Sequence, residues 1–164
     1  MEIAQNYLIK AFFSAADNLE QLLWHITTIE ALLGENGNGL SERLRRRIAL
    51  IFGKTEAERK KIKKDFKKLY DIRSNLVHGN KTKEEVTIRQ IYDSRNLARE
   101  TLLWFLRCFG YINSKIQYIQ PTMNIPIRED VLRLLDLDRN TMVRLGWLIE
   151  NLPTDFPCIK EWVE

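Results

Sequence analysis

Residues 68–79 read KLYDIRSNLVHG, and how this stretch folds decides the organisation of the chain. On an ideal helix Leu69, Tyr70, Leu76 and Val77 fall within about 80° of Phe66, and Ile72 lies about 120° away. One side is therefore apolar, and the segment reads as the last turns of a helix. Gly79 follows, where a left-handed residue commonly closes a helix. Arg73 falls about 20° from Phe66, inside the apolar arc. An unpaired cation there is costly to bury, so its guanidinium must reach the surface, meet an anion or face a cleft. His78, about 120° from Phe66, does not stack on Arg73 in a straight helix. It occupies the final turn, where the backbone can depart from helical geometry. Ser74 and Asn75, four and three residues earlier, are placed to hydrogen-bond its ring and orient it.

The same periodicity extends outward, as in Leu19, Leu22, Leu23, Ile26, Ile29 and Leu33, while alternating strand patterns are scarce. The expected fold class is all-α, a helical bundle with a small C-terminal helical extension. Helices are expected at 2–16 and 18–33 (separate or continuous), 41–52, 56–78 and 83–109. Gly34, Gly53, Gly79 and Gly110 each follow a helical segment and suit a left-handed C′ position. Capping-box spacing marks three starts: Asp17 with Glu20, Thr55 with Glu58, and Thr82 with Glu85. GENGNG (34–39) has no following Lys-Ser/Thr and no preceding strand, so it reads as a flexible connection rather than a phosphate loop. Residues 1–110 form the expected bundle and 111–164 an accessory segment. In the latter, short amphipathic pieces near 127–136 and 140–151 precede the tail CIKEWVE. Leu132, Leu135, Val143, Trp147 and Leu148 are expected to dock on the bundle, because small helices rarely bury an apolar face alone.

With 164 residues, 45% of them apolar, the chain can build a real core without staples. No run approaches the roughly 18 apolar residues of a membrane span. MEIAQNYLIKAFF lacks the marks of a signal peptide, so a cytoplasmic protein without membrane attachment is expected. Cys108 and Cys158 form no close-spaced pair and read as reduced and structural. Two separated histidines give no evident zinc or iron ligand set, so no metal and no cofactor are expected. His25, beside Trp24, reads as a packed histidine.

The net charge of +4 conceals a block: residues 41–83 hold 15 Lys/Arg against 5 Asp/Glu, whereas 1–40 and 124–164 are net acidic. Such a block is a candidate footprint for a polyanion, most often nucleic acid, though it can also be a solvated helix face. Its candidate RNA-binding members are Arg45, Arg46, Lys60, Lys63, Lys64 and Lys67. Arginine and histidine together suit RNA cleavage without a metal. A base must take the 2′-hydroxyl proton, a cation must stabilise the charge gathering on phosphorus, and an acid must protonate the leaving 5′-oxygen. Histidine can serve as base or acid near neutrality. Arginine grips phosphate oxygens bidentately and keeps its charge. One Arg73/His78 pair is half of such a site, and a second copy across a dimer axis supplies the rest.

IEALLG (29–34), RRIALIFG (46–53), ERKKI (58–62) and LYDIRSNLVHG (69–79), in that order and followed by a long helix, resemble the HEPN superfamily (higher eukaryotes and prokaryotes nucleotide-binding), most closely its Apea-like branch. The resemblance covers roughly residues 5–110. It implies a helical bundle that dimerises so that two R-x(4–6)-H motifs form one cleft, a metal-independent endoribonuclease leaving 2′,3′-cyclic or 3′-phosphate ends. Carried over, Arg73 and His78 are the catalytic motif residues, and Ser74 and Asn75 are the polar positions after the arginine. Tyr70 and Glu30 are similar to recurrent family positions with mainly structural roles. Two positions depart from the family pattern. Asn80 stands where toxins controlled by a nucleotidyltransferase antitoxin carry a tyrosine, and Ser74 stands where Asn, Asp or His is commoner. The resulting expectation is an RNA-cutting homodimer of toxin, stress or anti-phage defence, with residues 111–164 contacting an antitoxin or regulatory protein. The competing expectations are a non-catalytic RNA-binding or dimerisation module built on the same bundle and, from the superfamily's name alone, a nucleotide-binding domain.

Overall fold

The structure is a computed structural model that describes residues 2–79, 85–119 and 127–136. It is all-α, as expected, with α1 (Glu2–Phe13), α2 (Asn18–Leu33), α3 (Leu40–Phe52), α4 (Glu56–Val77), α5 (Ile88–Ile119) and α6 (Ile127–Asp136). Among the described residues no helix is long and apolar enough to cross a membrane.

α2 is the centre of the bundle. Its Leu22, Ile26, Ile29 and Leu33 recur at helical spacing and are fully buried. Around it pack α1 and α5, then α4 and α3, while α3 and α4 pair closely with each other. Leu44 and Ile48 of α3, Phe66 of α4, and Ala98 and Phe105 of α5 complete the core.

Local chemistry sets most of the boundaries. Asp17 accepts a hydrogen bond from the Glu20 backbone at 2.8 Å, and Thr55 with Glu58 forms a reciprocal capping box. The start of α5 differs from expectation. Glu85 precedes the helix, Thr82 lies outside the described residues, and the working box is Thr87 with Gln90, whose backbone N–H groups donate to each other's side chains at 2.9 and 3.2 Å.

The glycines also divide differently. Only Gly79, at φ 69°, takes the expected left-handed conformation after a helix. Gly34 and Gly53 are extended, and what they need is space: a Cβ on Gly34 would lie 2.5 Å from the Glu30 carbonyl oxygen. Gly110 does not end α5, which runs on to Ile119. A single glycine lowers helix propensity by only about 1 kcal/mol, too little to stop so long a helix.

The connection at 34–39 is pinned. Arg43 donates to the carbonyls of Asn38 at 2.6 Å and Glu35 at 3.2 Å, while Gly37 and Gly39 take positive φ. Arg47, which the sequence did not single out, is completely buried. Its guanidinium forks onto Asp136 of α6, with Nε at 2.9 Å from one carboxylate oxygen and Nη2 on the other, and it reaches Glu35 and the Leu33 carbonyl. Burial alone would raise the Asp136 carboxyl, but Arg47 and Arg46 hold it below the usual carboxylate range.

α6 thus docks on the bundle, as expected for this piece, burying Val131, Leu132 and Leu135. The piece near 140–151, with Val143, Trp147 and Leu148, and Cys158 lie outside the described residues. Cys108 is buried and free, and burial pushes its thiol up. His25 is packed: its Nδ1 lies 3.0 Å from the Ser94 hydroxyl, and Phe12 meets its ring edge-on.

Replacing Arg47 with Ala leaves Asp136 with Arg46 alone and removes the buried donor to the Leu33 carbonyl, and should cost roughly 3 kcal/mol of stability, read by urea unfolding. His25 gives a second expected outcome. Burial, then the charge of Arg95, lowers it from 6.5 to about 4, so the unfolded chain takes up its proton first. Stability should be fullest above pH 6.5 and fall toward pH 4 at up to about 1.4 kcal/mol per unit. His25→Phe should remove that slope.

Candidate RNA-contacting site on α4

α4 contains the whole quoted stretch and gives its two chief residues different surroundings. Arg73 turns inward toward α2, and its Nη2 donates to Glu30 Oε2 at 2.6 Å. The side chains are 22% and 13% exposed, so this is a largely desolvated ion pair. Beneath it lies Tyr70, its ring centroid 5.9 Å from the guanidinium carbon. The Tyr70 hydroxyl interacts with the same carboxylate, while Glu30 Oε1 stays short of a full hydrogen bond. Burial holds the Glu30 carboxyl above its ordinary range, against the opposing pull of Arg73 and Tyr70. Burial and then the Glu30 charge push the Tyr70 phenol up as well.

His78 caps the C-terminus of α4 and is exposed. Its backbone N–H donates to the Ser74 carbonyl at 3.1 Å, continuing the helix. The expected orienting bonds are not made: among the described residues no hydrogen bond joins its ring to the side chains of Ser74 or Asn75. His78 lies just past Val77, the last helical residue, with φ −86° and ψ 8°. Within one chain, then, Glu30, Tyr70 and Arg73 come together, and His78 stands apart from them.

The basic block separates by residue type. Its arginines are used within the fold. Arg45 pairs with Glu42, Arg46 with Asp136 at 2.5 Å, and Arg59 donates to the Gly53 carbonyl at 2.9 Å. Of the candidate RNA-binding residues, Arg45 and Arg46 therefore already hold internal partners. The lysines of α4 lie outside. Lys60, Lys64 and Lys67 are exposed and Lys63 is half-buried. Lys67 meets Asp71 at 2.5 Å and Lys60 meets Glu56 at 4.0 Å, whereas no carboxylate among the described residues pairs with Lys63 or Lys64. On the helical wheel these four lysines and His78 share an arc of about 100°. The exposed face of α4 thus carries four lysines and, at its end, an imidazole, with Glu56 and Asp71 interspersed on the same arc and Arg73 on a neighbouring one.

A family model described as Apea-like HEPN matches residues 6–112, about two thirds of the chain. The chain belongs to the Apea-like HEPN family. Membership makes it a HEPN-type nuclease or RNA-binding module in general. No curated protein and no solved structure gives a significant match. The matched segment contains α2 to α4 entire, and with them Glu30, Tyr70, Arg73 and His78. The pairing of this HEPN domain's motif arginine with a glutamate 43 residues earlier is a product of folding. The signal in the sequence was a charge on the apolar arc of α4, which had to meet an anion.

The two motif residues should respond differently to truncation. Arg73→Ala leaves Glu30 buried without its cation and should lower stability by roughly 2 kcal/mol. His78→Ala removes an exposed ring and should change it by less than about 0.5 kcal/mol. Parallel thermal melts of the two variants measure the difference.

Proposed function

We propose that this HEPN protein is a metal-independent endoribonuclease that acts as a homodimer, with Arg73 and His78 of both protomers lining one cleft. The observation that carries the reading is the cationic face of α4, where Lys60, Lys63, Lys64 and Lys67 lead along one helix to the exposed His78. The lysine strip attracts the RNA backbone. The partly exposed Arg73 holds a phosphate oxygen, and the charge that develops on phosphorus strengthens that hold. One His78 takes the proton of the 2′-hydroxyl, which attacks phosphorus, and the other donates a proton to the leaving 5′-oxygen. The products are a 2′,3′-cyclic phosphate and a 5′-hydroxyl. Apolar Val77 and Ile88, 53% and 81% exposed beside the two helix ends, offer a surface that a second copy can cover.

In this reading residues 1–110 are the RNA-cutting unit. The accessory residues 111–164 meet an antitoxin or other regulatory protein, and the setting is a cytoplasmic toxin, stress or anti-phage response. A second reading, a non-catalytic RNA-binding or dimerisation module, is favoured by one observation: within a protomer Arg73 serves as an interhelical ion-pair partner, and among the described residues no hydrogen bond orients the His78 ring.

Incubation of the unsubstituted protein and His78→Ala with total RNA in EDTA separates the two. The nuclease reading expects cyclic or 3′-phosphate ends from the unsubstituted protein alone. Equal cleavage by His78→Ala overturns it, and salt-sensitive binding without new ends supports the module.

A further inference from the structure

We propose that Glu30 is a positioning residue that sets the charge an RNA phosphate meets at Arg73. Ionised, it neutralises the guanidinium; protonated, it still accepts the arginine's hydrogen bond and leaves the full positive charge for the phosphate. This rests on reading the Arg73 edge as a phosphate contact. It adds a control on that contact which the family motif does not contain.

The geometry is that of an end-on anchor. One nitrogen, Nη2, is held at 2.6 Å by Glu30 Oε2, and Nε is buried without a hydrogen-bond partner. The side chain nevertheless keeps 22% of its surface exposed. The arginine is fixed at one corner rather than consumed by a two-point fork, so another edge can still engage an anion. Low exposure of both partners makes their mutual neutralisation effective, because little water screens it.

A phosphate approaching this edge meets a near-neutral pair when Glu30 is charged and a cation when it is not. Among the described residues, the charged or titratable groups that face Glu30 from the elements packed against α2 are Arg73 and Tyr70, both of α4. Burial already favours the neutral acid. As pH falls, Glu30 should therefore accept a proton before an ordinary glutamate does, and phosphate binding should tighten. By linkage, bound RNA must in turn raise the Glu30 titration.

The test measures binding of a short fluorescent 2′-O-methyl oligoribonucleotide, which cannot be cleaved through its 2′-oxygen, between pH 4.5 and 8. Full-length His78→Ala and His78→Ala/Glu30→Gln are compared, so that imidazole titration does not contribute. The first should tighten about five- to tenfold on acidification beyond any change in the second. The second should already bind tightly at pH 8. Parallel curves, or uniformly weaker binding by the double variant, overturn the proposal. Should Glu30→Gln fail to fold, carbon-13 NMR of the Glu30 carboxyl in the unsubstituted protein decides: its titration should move up on adding the probe, and an unmoved titration overturns the proposal. RNA cleavage in EDTA that depends on His78, together with parallel curves, removes the role of Glu30 and leaves the nuclease. Absence of probe binding at every pH by every protein removes the RNA reading and this proposal with it.

Discussion

The last turn of α2 is the point on which the structure converges, and arginine is what holds it. A helix ends with carbonyls that have no partner inside it, and α2 has no basic residue of its own in that turn. Three arginines come from elsewhere. Arg47 of α3 binds the Leu33 carbonyl, Arg128 of α6 binds the carbonyls of Ala31 and Gly34, and Arg73 of α4 takes the Glu30 carboxylate. Arg47 is the most constrained, since a fully buried guanidinium must have its donors satisfied, and Leu33, Glu35 and Asp136 together do so. Three helices are thereby tied to one turn of α2.

That arrangement explains why the basic block is not uniform. A guanidinium is planar, weakly hydrated and able to bind several acceptors at once, so arginine is the cation that can be buried at a helix end. A lysine ammonium is strongly hydrated and stays at the surface on its flexible stem. The folding of this HEPN domain therefore draws Arg43 and Arg47 of α3 into fastening a loop and a helix end, and leaves the lysines of α4 at the surface.

Arg73 belongs to both groups. It fastens α4 to α2 as Arg47 fastens α3, yet its side chain remains partly exposed on the helix that carries the lysines and His78. The ion pair that stabilises the bundle also determines how much positive charge remains for a ligand. Among the described residues His78 has no such double duty. Its exposure leaves the imidazole free to meet groups outside its own chain.

The sequence by itself determined the helical class, the extents of α2, α3 and α6 to within a residue, the N-cap at Asp17 and the capping box at Thr55, and the apolar stripes that became the core. Each is a matter of near-neighbour chemistry or of 3.6-residue periodicity. It also showed that Arg73 needed an anion or an opening, because its position on the wheel follows from spacing alone. Other features depended on which distant groups meet: Glu30 as the partner of Arg73, the burial of Arg47 with Asp136 from 89 residues away, and the pinning of the 34–39 connection by Arg43. The same holds for the run of α5 through Gly110 and for a Gly34 that is small for lack of room rather than for its φ. Those are tertiary facts. A charged residue announces that it requires a counterpart, but only the packing of α2 against α3, α4 and α6 decides which one it receives.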